Sequence, residues 1–123
     1  MQVGSYLTPS SVLLRPNCKD KWDLITQLCG AVSASYHCSS ELSALIHEAV
    51  CEREKSSSTG MDGGIAVPHA AVEGLPELML GMAVKPEGVD FDSIDGSMST
   101  VIVLILVPNL IGIGLLQKLL LII

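Results

Sequence analysis

The sequence predicts an α/β fold in which helices pack on a mixed β-sheet. Three observations lead there. Two stretches carry apolar residues at helical spacing, several short apolar runs read as buried strands, and the connections between strands vary in length. The 123 residues argue for one domain over 1–123. Hydrophobic residues at 49% against 16% charged exclude a disordered chain.

The elements follow in order. Residues 1–17 form a lead-in, with Val12-Leu13-Leu14 as a short strand. A first helix is expected over about 19–33, because Leu24, Ile25, Leu28 and Val32 share one face. Gly30 weakens its last turn. Ser39 or Ser40 can cap a second helix, in which Leu42, Leu45, Ile46, Ala49 and Val50 follow the i, i+3, i+4, i+7, i+8 pattern. It ends in the charged cluster Glu52-Arg53-Glu54-Lys55. The small polar residues 56–64 read as a loop. Ile65-Ala66-Val67 is a short strand that Pro68 stops or bends. Residues 78–84 form a further buried strand, 92–96 a turn, and the β-branched run 101–107 the strongest strand.

Residues 101–123 are nearly all apolar and long enough to cross a bilayer. Pro108-Asn109, Gly112, Gly114 and Gln117-Lys118 interrupt them. The interruptions divide the stretch into a buried strand and the start of a core helix from Leu115, so no membrane insertion is expected. A tail anchor is the competing reading, and solubility without detergent discriminates the two. The helical pattern is still running at Ile123, so a C-terminal segment is expected to be missing.

Composition narrows the function. Seven basic against 13 acidic residues leave a net charge of −6, which argues against a general nucleic-acid binder. One Trp, one Phe and two Tyr are too few for a base-stacking platform. No pair among Cys18, Cys29, Cys38 and Cys51 has zinc-site spacing, and each reads as a small buried hydrophobe. Free thiols and an N-terminus without signal-peptide character point to the cytoplasm.

The chemistry centres on one of three histidines. His37 sits in a turn and His47 lies mid-helix opposite the apolar stripe, so both read as surface residues. His69 follows Gly63-Gly64-Ile65-Ala66-Val67-Pro68, at the junction of a strand and a glycine-rich loop where functional groups collect. Pro68 stiffens the backbone that presents the imidazole. His69 has no metal-ligating partner at i±2 or i±4, and no G-x-S-x-G element accompanies it. A nucleophilic histidine needs less: a neutral ring nitrogen, a bond fixing the other nitrogen, and donors for phosphate oxygens. Arg53 can supply charge, while Ser58, Thr59 and the Gly63-Gly64 amides can supply neutral donors. The bland alternative for Arg53 is a solvated cation favourable to the helix dipole.

Arg53-Glu54-Lys55, then Ser58-Thr59-Gly60, then Gly64-Ile65-Ala66-Val67-Pro68-His69-Ala70 resemble the signature of the phosphotransferase-system EIIA domains of the fructose/mannitol type, which include nitrogen-regulatory EIIA proteins. The likeness runs from about Ser11 to Ile123. It implies a three-layer sandwich, a mixed β-sheet flanked by helices. It implies that His69 accepts a phosphoryl group from the phosphocarrier HPr or a paralogue and passes it to an EIIB component or signals by it. Arg53 matches the arginine that helps hold the phosphate, and Thr59 falls at the active-site threonine. The resemblance also implies Nε2 as the reacting nitrogen, with Nδ1 held by a backbone carbonyl. No metal or organic cofactor is implied. The absence of EIIB or EIIC portions between residues 1 and 123 favours the nitrogen-regulatory branch over a sugar-specific EIIA serving a separate transporter.

One departure stands out. Many members carry a second histidine where this chain has Leu115, and leucine cannot hydrogen-bond a phosphate. A binding or regulatory module that no longer transfers phosphate is therefore the alternative function. An apolar rim of Met61, Ile65 and Val67 around His69 is expected to meet the partner.

Overall fold

The computed structural model of the protein describes residues 6–108. After a 3₁₀ turn at Pro9–Ser11 the described elements are β1 (Val12–Leu14), α1 (Lys21–Ser35), α2 (Ser40–Ser56), β2 (Gly60–Met61), β3 (Ile65–Ala66), β4 (His69–Val72), β5 (Met79–Val89) and β6 (Ser99–Pro108). The helix expected from Leu115, and the Leu115 position itself, lie outside the described residues.

Both helices begin at side-chain caps. The Asp20 carboxylate accepts the Asp23 N–H at 2.9 Å, and the Ser39 hydroxyl accepts the Leu42 N–H at 3.1 Å. The first helix thus starts and ends two residues later than the spacing predicts. Arg53 and Lys55 occupy the last turn of α2, where cations complement the exposed carbonyls.

The sheet is mixed, in the order β1-β5-β6-β3-β2, with β4 also paired to β6. β1 runs parallel to β5, and β3 and β4 run parallel to β6; the β5–β6 and β2–β3 pairs are antiparallel. Central strand β6 is buried on both faces. Ile102, Leu104 and Leu106 face the helix layer, while Val103, Ile105 and Val107 join a second cluster on the opposite face. That double burial explains its unbroken apolar run. Leu24, Ile25, Leu28 and Val32 of α1 and Ile46 and Val50 of α2 are fully buried against the sheet.

Four details differ from the sequence expectations. Residues 56–64 are not all loop, because Gly60 and Met61 pair with Ala66 and Ile65. Leu45 belongs to the expected apolar stripe, yet it is 51% exposed, because the stripe is narrower than its periodicity implies. Cys29 is buried but Cys18, Cys38 and Cys51 are only partly so, and all four are free thiols. Pro68 interrupts the strand without diverting it: Ala66 pairs with Ile102 and His69 with Ile105, so the register along β6 is unbroken. The Pro68 carbonyl accepts the Ile105 N–H at 3.0 Å, and only the proline's own missing donor breaks the ladder. Among the described residues no helix is long and apolar enough to cross a membrane.

Gly81 sets the distance between α1 and the sheet. A Cβ there would stand 2.4 Å from Val32 Cγ2, inside a fully buried contact. Gly81→Ala is expected to destabilise the protein by about 1–3 kcal/mol, read as a lower urea midpoint at unchanged slope. An unchanged midpoint would show that the helix layer is not held this close.

Candidate active site

Arg53, Ser58, Thr59, Gly60, Met61, Val67 and His69 line one open cleft of about 270 Å³. Three segments build it: the last turn of α2, the chain leading into β2, and the β3–β4 junction. The Ser56 hydroxyl donates to the Arg53 carbonyl at 2.8 Å, and Arg53 Nη1 donates to the Ser57 carbonyl at 2.7 Å. The guanidinium therefore closes its own helix end while lining the cleft. Gly60 is required by close approach, because a Cβ there would lie 2.8 Å from the Phe91 carbonyl oxygen.

His69 is half-buried at the start of β4. Its Nδ1 lies 2.8 Å from the Val67 carbonyl oxygen. A carbonyl only accepts, so Nδ1 carries the proton and the neutral ring keeps its lone pair on Nε2. Among the described residues Nε2 has no hydrogen-bond partner. Burial pushes the His69 pKa below its ordinary value and the Arg53 charge pushes the same way. The Val67 hydrogen bond and the Glu54 charge oppose this without reversing it. The imidazole is therefore neutral at physiological pH.

The neighbouring donors are arranged differently from expectation. The Ser58 hydroxyl donates to the Phe91 carbonyl. The Thr59 hydroxyl donates to Glu54 Oε1 at 2.5 Å, and the Thr59 N–H donates to Glu54 Oε2 at 3.0 Å. Both hydroxyl protons are thus committed inside the protein. The Gly63 N–H donates to Asp95 Oδ2 at 3.3 Å, and neither Gly63 nor Gly64 lines the cleft. Arg53, which lines the cleft, carries further N–H groups beyond the one bonded to the Ser57 carbonyl.

The expected apolar rim is also smaller. Met61 is 41% exposed, but Val67 is buried and Ile65 lies off the cleft, half-buried against the second core cluster. His37 is exposed in the turn after α1, at a φ of 56°. His47 is half-buried rather than a free surface group, with Nε2 3.0 Å from Thr26 Oγ1. No cluster of three or more His, Cys, Asp or Glu side chains suited to a metal occurs among the described residues.

Two charged residues escaped the sequence reading. Glu54 reads as one member of a solvated cluster, yet its side chain has no exposed surface. Lys21 Nζ donates to Glu54 Oε2 at 3.1 Å and to Asp92 Oδ2 at 2.9 Å. Burial lowers the Lys21 pKa, but hydrogen bonds and charge from Asp92 and Glu54 outweigh it and leave the ammonium above its ordinary value. A signal for Glu54 existed: it follows Ile46 and Val50 at four-residue steps, on the stripe that faces inward.

Comparison with known proteins supplies a frame for this site. The family described as "Phosphoenolpyruvate-dependent sugar phosphotransferase system, EIIA 2" matches residues 5–123. The PTS system fructose-specific EIIA component of Haloferax volcanii is 36% identical over 61 residues, covering 50% of this chain and 40% of that protein. The chain thus spans less than half of that relative's length. Nitrogen regulatory protein IIA-Ntr from Neisseria meningitidis superposes with a TM-score of 0.80 at 29% identity, covering 94% of this chain and 80% of that one. Enzyme IIAMTL from Escherichia coli, solved in complex with phosphorylated enzyme IIBMTL, shares the fold with a TM-score of 0.72 at 20% identity, over 92% of this chain and 78% of that one.

The depressed His69 pKa has a definite sign in stability. Above the ordinary value of 6.5 the ring is neutral in folded and unfolded chains alike. As pH falls below it, the unfolded chain takes the proton first, so stability declines until the folded ring also protonates. Urea midpoints from pH 7.5 to pH 5 are expected to fall more for the wild type than for His69→Gln. Equal pH dependence of the two proteins would contradict the assignment.

Proposed function

The chain belongs to the EIIA 2 family of the phosphoenolpyruvate-dependent sugar phosphotransferase system, and from that premise we propose that it is a phosphocarrier. His69 accepts a phosphoryl group from the phosphohistidine of an HPr-like protein. It then passes the group to an EIIB component or signals by carrying it, in the manner of a nitrogen-regulatory protein. The observation that supports this reading most is the Nδ1–Val67 carbonyl hydrogen bond, which leaves the Nε2 lone pair beside Arg53 in an open cleft.

The proposed step balances between two imidazoles. The Nε2 lone pair attacks phosphorus, the new P–Nε2 bond forms as the donor's P–N bond breaks, and the donor nitrogen keeps that electron pair. The proton stays on Nδ1, hydrogen-bonded to the Val67 carbonyl, throughout. Arg53 offsets charge on the transferred group. Because P–N bonds are exchanged for P–N bonds, positioning carries most of the catalysis. Thr59 acts in this reading as a positioning residue, since its hydroxyl proton is bound to Glu54.

A cleft of about 270 Å³ accommodates a phosphoryl group, whereas drug-sized ligands fill about 300–1,000 Å³. In this reading the substrate is another protein that brings its own phosphoryl group, with Met61 at the rim as an apolar contact. This reading assigns the protein to the cytoplasm, with its donor. Phosphoenolpyruvate, enzyme I and HPr should add one acid-labile phosphoryl group to the intact mass of the wild type. His69→Ala should gain none, and Arg53→Ala should react about 10- to 1,000-fold more slowly. A folded wild type that gains no mass beside an active HPr would overturn the phosphocarrier reading and leave a binding module.

A further inference from the structure

Transfer at His69 makes no direct use of Lys21 or Glu54, yet these two form the most deeply buried ion pair among the described residues, with 9% and 0% of their side-chain surfaces exposed. From that pair an unbroken series of hydrogen bonds reaches the ring. Lys21 Nζ donates to Glu54 Oε2 at 3.1 Å. The Thr59 N–H and hydroxyl both donate to the same carboxylate, at 3.0 and 2.5 Å. The Val67 N–H donates to the Thr59 carbonyl at 3.0 Å. The His69 Nδ1–H donates to the Val67 carbonyl at 2.8 Å. We propose that Lys21 and Glu54 are positioning residues that hold His69 in the Nδ1–H tautomer, acting through Thr59 and the Val67 peptide.

The physical argument concerns what fixes Val67. A carbonyl can orient an imidazole only if the backbone on both sides of it is held. One side of the junction is held by β6, through the Pro68 carbonyl and the Ile105 N–H. The other side is held by the Thr59 carbonyl, which accepts the Val67 N–H, and by the pairing of Ala66 with Gly60 and Ile102. A carboxylate stripped of water has strong demand for donors, and Thr59 supplies two of them. Lys21 holds that carboxylate in place, and its second bond to Asp92 ties in the loop whose Phe91 carbonyl accepts from Ser58.

This inference rests on the reading of His69 as the acceptor only for its consequence, not for its test. The variant is Glu54→Gln, which keeps the side chain's shape and leaves Lys21 paired with Asp92. The exposed neighbour Glu52→Gln makes the same charge change one position from Arg53 and serves as control. Nitrogen-15 shifts of the His69 ring report the tautomer directly, and circular dichroism reports the fold. Glu54→Gln is expected to lose a measurable fraction of the Nδ1–H tautomer and to slow phosphoryl uptake about 10- to 100-fold, with the control unchanged. Should Glu54→Gln fail to fold, Thr59→Val removes one link of the series, and a smaller shift in the same direction is expected. A folded variant with the wild-type tautomer overturns the proposal, even if its uptake slows. If the wild type accepts no phosphoryl group, the acceptor reading fails, and the ring shifts still decide this one.

Discussion

A carboxylate with no exposed surface must find all its partners inside the protein, and Glu54 does so at the meeting point of three segments. Its oxygens draw in Lys21 at the start of α1 and both donors of Thr59, while Glu54 itself lies in the last turn of α2. Removing one partner of such a buried pair leaves an unmatched charge, at a cost of about 3–5 kcal/mol. That cost explains why the chain after α2 turns sharply back rather than running into solvent. The return of residues 58–61 then supplies β2, one wall of the cleft, and the carbonyl that holds the Val67 peptide.

The same economy governs the imidazole. A main-chain carbonyl accepts a hydrogen bond from the protonated nitrogen, so the other nitrogen is bare without any catalytic base. Burial and Arg53 favour the neutral ring, while the Val67 bond and Glu54 moderate that preference. The cation beside the ring therefore does two things at once: it disfavours a protonated imidazole and it favours an anionic group bonded there. Pro68 contributes rigidity without cost to the sheet, because β3 and β4 keep one register along β6 on either side of it.

Much of this was legible in the sequence, and the remainder was not for definite reasons. The burial of Leu24, Ile25, Leu28 and Val32, the β6 run and the cap at Ser39 follow from periodicity and capping chemistry. The motif residues Arg53, Thr59 and His69 were visible as a pattern, but their division of labour was not. Whether a threonine hydroxyl donates to a phosphate or to a buried carboxylate depends on a residue five positions earlier. Glu54 was hidden by its charged neighbours, since composition marks that stretch as solvated although helical phase turns this one side chain inward. Leu45 shows the converse, an apolar residue in phase with the core that the sheet does not cover. Two-residue strands such as β2 carry no periodicity to detect, and only pairing with β3 defines them.

The central claim is that the main chain holds Nδ1 of His69 and presents Nε2 for reaction. Phosphorylation of nitrogen-15-labelled protein, followed by assignment of the ring nitrogen bonded to phosphorus, tests it directly. Phosphorus is expected on Nε2 of His69 with Nδ1 still protonated. Phosphorus on Nδ1, or on any residue other than His69, would contradict it.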